Sequence, residues 1–163
     1  MKKNDSTSTH CESRIHQLVQ EVFPRSALQL NAINESDAEI VKIGDQYFGI
    51  NIDEYSAAED FFSEFDPSLL GYNLVMASCS DMIATGSRPQ FYLHSMILAK
   101  SYPEKFTEKL LKGIAEGLKD YQAFLLGGDT STADNWHYIA VVLGETKSKI
   151  KRSGAKSGQL IYS

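Results

Sequence analysis

Four aspartates stand where chemistry is possible. Asp81 is the only charged side chain between Pro67 and Ser87, in a run (PSLLGYNLVMASCSDMIATGS) that is apolar or small on nearly every side. A carboxylate in such a helix is costly, so it must meet a cation, a donor or a solvent-filled site. A structural hydrogen bond to a neighbouring loop would serve equally well. Asp129 closes LLGGD, read as a strand end, and Thr130 and Ser131 follow it. Its two glycines, Gly127 and Gly128, would let the backbone approach a ligand closely, although a lone GGD also suits a plain turn. Asp37 precedes a candidate hairpin and Asp53 ends it. Taken together, four such aspartates suit Mg2+, which prefers hard oxygen ligands and shares them with phosphates. The chain has no G-x-x-x-x-G-K-[ST] loop, no G-x-S-x-G and no metal-binding histidine pair. A nucleotide would therefore be held by carboxylates, metal and glycines.

The elements that must position these residues follow from hydrophobic period and turn chemistry. Ile15, Leu18, Val19 and Val22 recur at helical spacing before Pro24, which predicts a helix over 12–22. AEIVKIGDQYFGINID reads as two strands around Gly44–Asp45, a hairpin. The acidic, aromatic EYSAAEDFFSEFD has no clean period and reads as a loop, with or without a short helix. Asp66 and Pro67 suit an N-cap and first helical residue, opening a buried helix that Gly86 and Pro89 end. QFYLHSMILA is a strand apolar on both faces; a second helix begins at Pro103 with a stripe of Phe106, Leu110, Leu111, Ile114 and Leu118. YQAFLLGG and NWHYIAVVLGET are further strands, and QLIYS begins another after a loop with Arg152, Gly154 and Gly158. Strands apolar on both faces need cover on both. The two helices cover one face, so the other is expected to meet a second copy or another domain.

Composition narrows the function classes. At 163 residues the chain can build one real core. A net charge of −5 argues against broad nucleic-acid or anionic-membrane binding, and no apolar run approaches a membrane span. MKKNDSTSTH lacks the apolar stretch of a secretory signal and reads as a solvated, disordered tail over 1–11. Two cysteines far apart, Cys11 and Cys79, suit a reducing cytoplasm, and the four histidines show no ligand spacing.

Several motifs in order resemble an ATP-dependent superfamily that includes aminoimidazole ribonucleotide synthetase, selenophosphate synthetase, a hydrogenase maturation protein and thiamine-monophosphate kinase. SDMIATGSRP is similar to its S-D-x-A-A-M-G-A-x-P helix, LLGGDTST to its GGDT strand, and KRSGAKSGQLIYS to the R-S-G-A-K-P-G-D-x-I-Y-V segment between its two domains. The GGDT form points to the thiamine-monophosphate kinase branch. The resemblance implies an ATP/Mg-binding N-terminal domain over 12–150, with 151–163 as linker and start of a C-terminal domain. It implies Asp37, Asp53, Asp81 and Asp129 as Mg2+ ligands, with Asp81 and Asp129 at the centre of catalysis. Gly127, Gly128, Thr130 and Arg152 would contact ATP. The implied fold class is α/β (α+β), with a mixed, mostly antiparallel four-stranded sheet, helices on one face, and the sheet pairing with a second subunit into a barrel. A cytoplasmic homodimer acting on a small-molecule phosphate acceptor is the expectation.

The chain also departs from that pattern. Ser36–Asp37 stands for G-D-D, Asn51–Ile52 for S-T, Ser78 for an asparagine, and Asp60 stands about where the kinases carry a histidine before Phe61. An aspartate there would repel a phosphate monoester. The metal core is thus largely kept and the substrate signature altered. Kinase-like phosphoryl transfer in the full-length form is the first reading, with residues 1–163 alone inactive. Another branch of the superfamily and a non-catalytic dimerisation module are the alternatives.

Overall fold

A computed structural model describes residues 12–58 and 65–160; the proposed tail, Asp60 and Phe61 lie outside them. The chain forms α1 (Glu12–Val22), β1 (Glu39–Ile43), β2 (Gln46–Ser56), α2 (Pro67–Ala84), β3 (Phe91–Ala99), α3 (Glu104–Tyr121), β4 (Phe124–Ala133) and β5 (His137–Glu145).

Local chemistry accounts for most boundaries. β1 and β2 pair antiparallel across Gly44–Asp45, with Ile43 opposite Gln46 and Gly44 at φ +60°. Asp66 caps α2, its carboxylate accepting from the amides of Ser68 (3.0 Å) and Leu69 (3.3 Å), and Pro67 takes the first turn, where its missing N–H costs nothing. α2 stops at Thr85, followed by Gly86 at φ +74°.

The strands make one mixed sheet in the order β1-β2-β5-β3-β4, antiparallel except for the parallel β3–β4 pair that α3 connects. α2 and α3 pack on one face. Their core joins Leu70, Leu74, Val75, Cys79 and Met82 of α2 to Tyr92 and Met96 of β3 and Tyr138, Ala140 and Val142 of β5. Burying this apolar surface is the main source of stability. Alternation sends the intervening residues of β2, β3 and β5 to the other face, where Ile52 is 67% and Leu93 38% exposed.

Two expectations are corrected. The sheet has five strands, not four. Asp129 lies inside β4 rather than at a strand end, because parallel pairing with β3 continues through Ala133 after Leu126 bulges out. The expected strand QLIYS lies mostly outside the described residues, of which only Gln159 and Leu160 belong to it, and these carry no strand. α1 forms as expected, yet its stripe stays open: Ile15, Leu18 and Val22 are all exposed. No helix among the described residues is long and apolar enough to cross a membrane.

Candidate functional site

Three of the four aspartates converge from separate elements. Asp37 lies in the turn before β1, Asp53 near the end of β2 and Asp81 in the last turns of α2. Their proximity shows in their electrostatics. The Asp81 carboxyl is pushed above its ordinary range first by burial, then by the negative charges of Asp53 and Asp37, and Arg152 pulls the other way. Asp53 is also raised, by burial, against the hydrogen bonds it accepts. Like charges held near each other in a half-buried setting favour the arrival of a cation.

Asp53 is held firmly. Asn51 Nδ2 donates to its Oδ2 at 2.6 Å and also to Ser78 O on α2 at 3.3 Å; Tyr55 Oη donates to the same Oδ2 at 3.3 Å. Asn51, Asp53 and Tyr55 share one face of β2 through its two-residue period. Asn51 is 7% exposed and ties strand, helix and carboxylate together. It did not emerge as a site residue from the sequence, although strand alternation places it beside Asp53. Ile52, whose apolar side chain breaks the family's S-T pair, points to the opposite face and leaves the carboxylates untouched.

Arg152 meets a carboxylate: its Nε donates to Asp37 Oδ1 at 2.6 Å. Next to it Lys151 Nζ pairs with Glu35 Oε1 at 2.6 Å, which holds the Glu35 carboxyl below its ordinary range.

Asp129 stands apart. The register runs Asp53–Ala140–His94–Gly128 across four strands, so Asp129, one residue beyond Gly128, lies about 14 Å from Asp53 at the usual strand spacing and points to the opposite face of the sheet. Asp129 is exposed, pairs in register with Ser95 and accepts from the Thr130 amide at 2.9 Å. Gly127 adopts φ +153° just after the bulge. Gly128 has a structural reason to be glycine, since a Cβ there would come within 2.1 Å of His94 O.

Among the described residues, no three His, Cys, Asp or Glu side chains gather closely enough to hold a metal ion together. Each of Asp37, Asp53 and Asp81 offers the hard carboxylate oxygens that Mg2+ prefers, though not as one three-residue ligand set.

Thiamine-monophosphate kinase of Archaeoglobus fulgidus is 28% identical over 151 residues, covering 93% of this chain and 50% of that protein. The Bacillus subtilis (strain 168) thiamine-monophosphate kinase is 35% identical over 103 residues, covering 59% of this chain and 30% of that protein. The chain thus spans half or less of the length of these curated relatives. Among solved structures, AaThiL complexed with AMPPCP and TMP superposes with a TM-score of 0.77 at 20% identity, over 93% of this chain and 48% of that one, so the two share a fold. Residues 35–146, which carry Asp37, Asp53, Asp81 and Asp129, match the family described as AIR synthase related protein, N-terminal domain, and the chain belongs to that family.

Proposed function

We propose that this chain is the Mg-ATP-binding and dimerisation domain of a thiamine-monophosphate kinase-like enzyme that transfers a phosphoryl group from ATP to a small-molecule acceptor. The observation that carries this reading is the match of residues 35–146, which hold Asp37, Asp53, Asp81 and Asp129, to the family described as AIR synthase related protein, N-terminal domain. Like-charged carboxylates near one another favour a cation, a role Arg152 already takes in part at Asp37. Asp37, Asp53 and Asp81 would hold Mg2+ on one side of the sheet. Asp129, on the sheet face opposite Asp53, would reach the polyphosphate only around the β4 edge, where Gly127, Gly128 and Thr130 lie, and Arg152 would contribute positive charge. Bound Mg2+ would neutralise the phosphates and align the transfer; the chain's own residues bind and orient. The open apolar face of the sheet would be covered by a second copy in a homodimer. The match of the GGDT strand and the run of kinase relatives support this branch over the others.

Isothermal titration of Mg-ATP into wild type and Asp81→Asn tests the reading. Wild type is expected to release heat and Asp81→Asn to lose most of it. Equal heats in the two proteins, or none in wild type, would count against a nucleotide site built on these carboxylates.

A further inference from the structure

Three buried hydroxyls cross the core in a line that ends on His94. Ser78 Oγ donates to Leu74 O at 2.7 Å, Tyr92 Oη to Ser78 Oγ at 3.3 Å, and Tyr138 Oη to Tyr92 Oη at 3.3 Å. His94 Nδ1 lies 3.0 Å from Tyr138 Oη at the far end. A hydroxyl has one proton to give, and a backbone carbonyl can only accept. Leu74 O therefore sets the direction of the whole line. It takes the Ser78 proton, so Ser78 accepts from Tyr92 and Tyr92 accepts from Tyr138. Tyr138 has no proton left for the imidazole, and Nδ1 must be the donor. In neutral His94 the proton thus sits on Nδ1, and Nε2 carries a lone pair. Burial favours this neutral form by lowering the pKa of the ring.

Nε2 opens where a ligand can reach it. Among the described residues it has no hydrogen-bond partner, yet no buried side-chain nitrogen there is left unsatisfied, so Nε2 meets solvent. The ring leans over Gly128, where a Cβ would collide with His94 Cδ2. Gly128 is itself exposed and leaves a flat floor beside the ring at the β4 edge. His94 also shares a row and a face with Asp53: Asp53 pairs with Ala140, Ala140 with His94 and His94 with Gly128. Two strand spacings put the histidine about 10 Å from Asp53. An ionised polyphosphate offers only acceptor oxygens, which a lone pair repels, so the part of a ligand that suits Nε2 is an N–H or O–H. We propose that His94 is a ligand-binding residue of this face: its Nε2 accepts a hydrogen bond from an N–H or O–H of the nucleotide or of the phosphate acceptor, and the Ser78–Tyr92–Tyr138 line keeps it an acceptor. Adenine and the pyrimidine of thiamine both offer such a donor, an amino group on a heteroaromatic ring. This inference rests on the reading of the chain as a nucleotide-binding domain.

Nitrogen-15 spectroscopy of the imidazole at about pH 8, above the ordinary histidine range, tests it. Wild-type His94 should appear as the Nδ1–H tautomer. In Tyr92→Phe the Tyr138 proton loses its acceptor and turns to Nδ1, so the ring should switch to Nε2–H while far-ultraviolet circular dichroism stays unchanged. Mg-ATP and thiamine monophosphate are then titrated separately, and the one that brings the donor should move the Nε2 resonance of wild type. That ligand should bind about tenfold more weakly to Tyr92→Phe and to His94→Leu. An Nε2–H tautomer in wild type, or an Nδ1–H tautomer that survives in Tyr92→Phe, overturns the proposal. Ligand binding that never moves Nε2 overturns it too and leaves the nucleotide reading standing. Failure of both ligands to bind wild type overturns both.

Discussion

Asn51 does more than any other uncharged residue to define the site. Its amide joins the Asp53 carboxylate to the backbone of α2 at Ser78. Asn51→Ala leaves both acceptors short of a donor, which should cost about 2 kcal/mol, read as a lower urea midpoint. His94 offers a second test on the same face of the sheet. Burial lowers its pKa below the ordinary value of 6.5, and its Nδ1 lies 3.0 Å from Tyr138 Oη. A histidine whose folded pKa is depressed contributes stability that is complete above the unfolded value and lost as pH falls through the folded one. Wild type should therefore lose stability between pH 7 and 5 by more than His94→Gln does, in parallel urea titrations. Parallel curves for the two proteins would remove His94 from the account. Tyr138 and Tyr92, hydrogen-bonded to each other at 3.3 Å with Tyr92 donating on to Ser78, extend this polar line through the core toward Asn51.

At the scale of elements, the crossing of α2 and α3 is the tightest joint. A Cβ on Gly113 would meet Ser68 O at 1.8 Å, and one on Gly71 would meet Leu110 O at 2.1 Å. Backbone cannot yield as a flexible side chain does, so Gly113→Ala should cost about 3 kcal/mol, visible as a drop in thermal midpoint. α2 was legible in the sequence because its signals are local: Asp66 and Pro67 at the start, Gly86 after the end, apolar residues between. The hairpin was legible for the same reason. β4 was only half legible, because GGDTSTA sits exposed on a sheet edge and carries no hydrophobic period. The helical period of α1 announced a helix but not its neighbours, and its stripe stays exposed. The four aspartates could be singled out by type and place. That Asp37 meets Arg152, 115 residues away, could not, since no local pattern encodes a contact of that separation.

For the whole molecule, the open sheet face is the largest unanswered demand for burial. Val141 lies at the middle of the row Ile52–Val141–Leu93, two of whose members are exposed. Under the homodimer proposal, wild type should scatter light as a dimer at micromolar concentration and Val141→Asp as a monomer, with far-ultraviolet circular dichroism unchanged. A monomeric wild type would leave the face without the proposed cover. The order of the strands also sets a timetable for the newborn chain. β2 is flanked by β1 and β5, and its register joins Phe48 to Glu145 and Ser56 to His137. An isolated two-stranded hairpin is marginal in water, and pairings distant in sequence form slowly. During synthesis, β1 and β2 must wait for nearly the entire remaining domain to emerge before their inner neighbour arrives. Asp53 gains its place on a finished sheet only then, so a ribosome paused before residue 137 would hold a chain whose carboxylate trio cannot yet assemble.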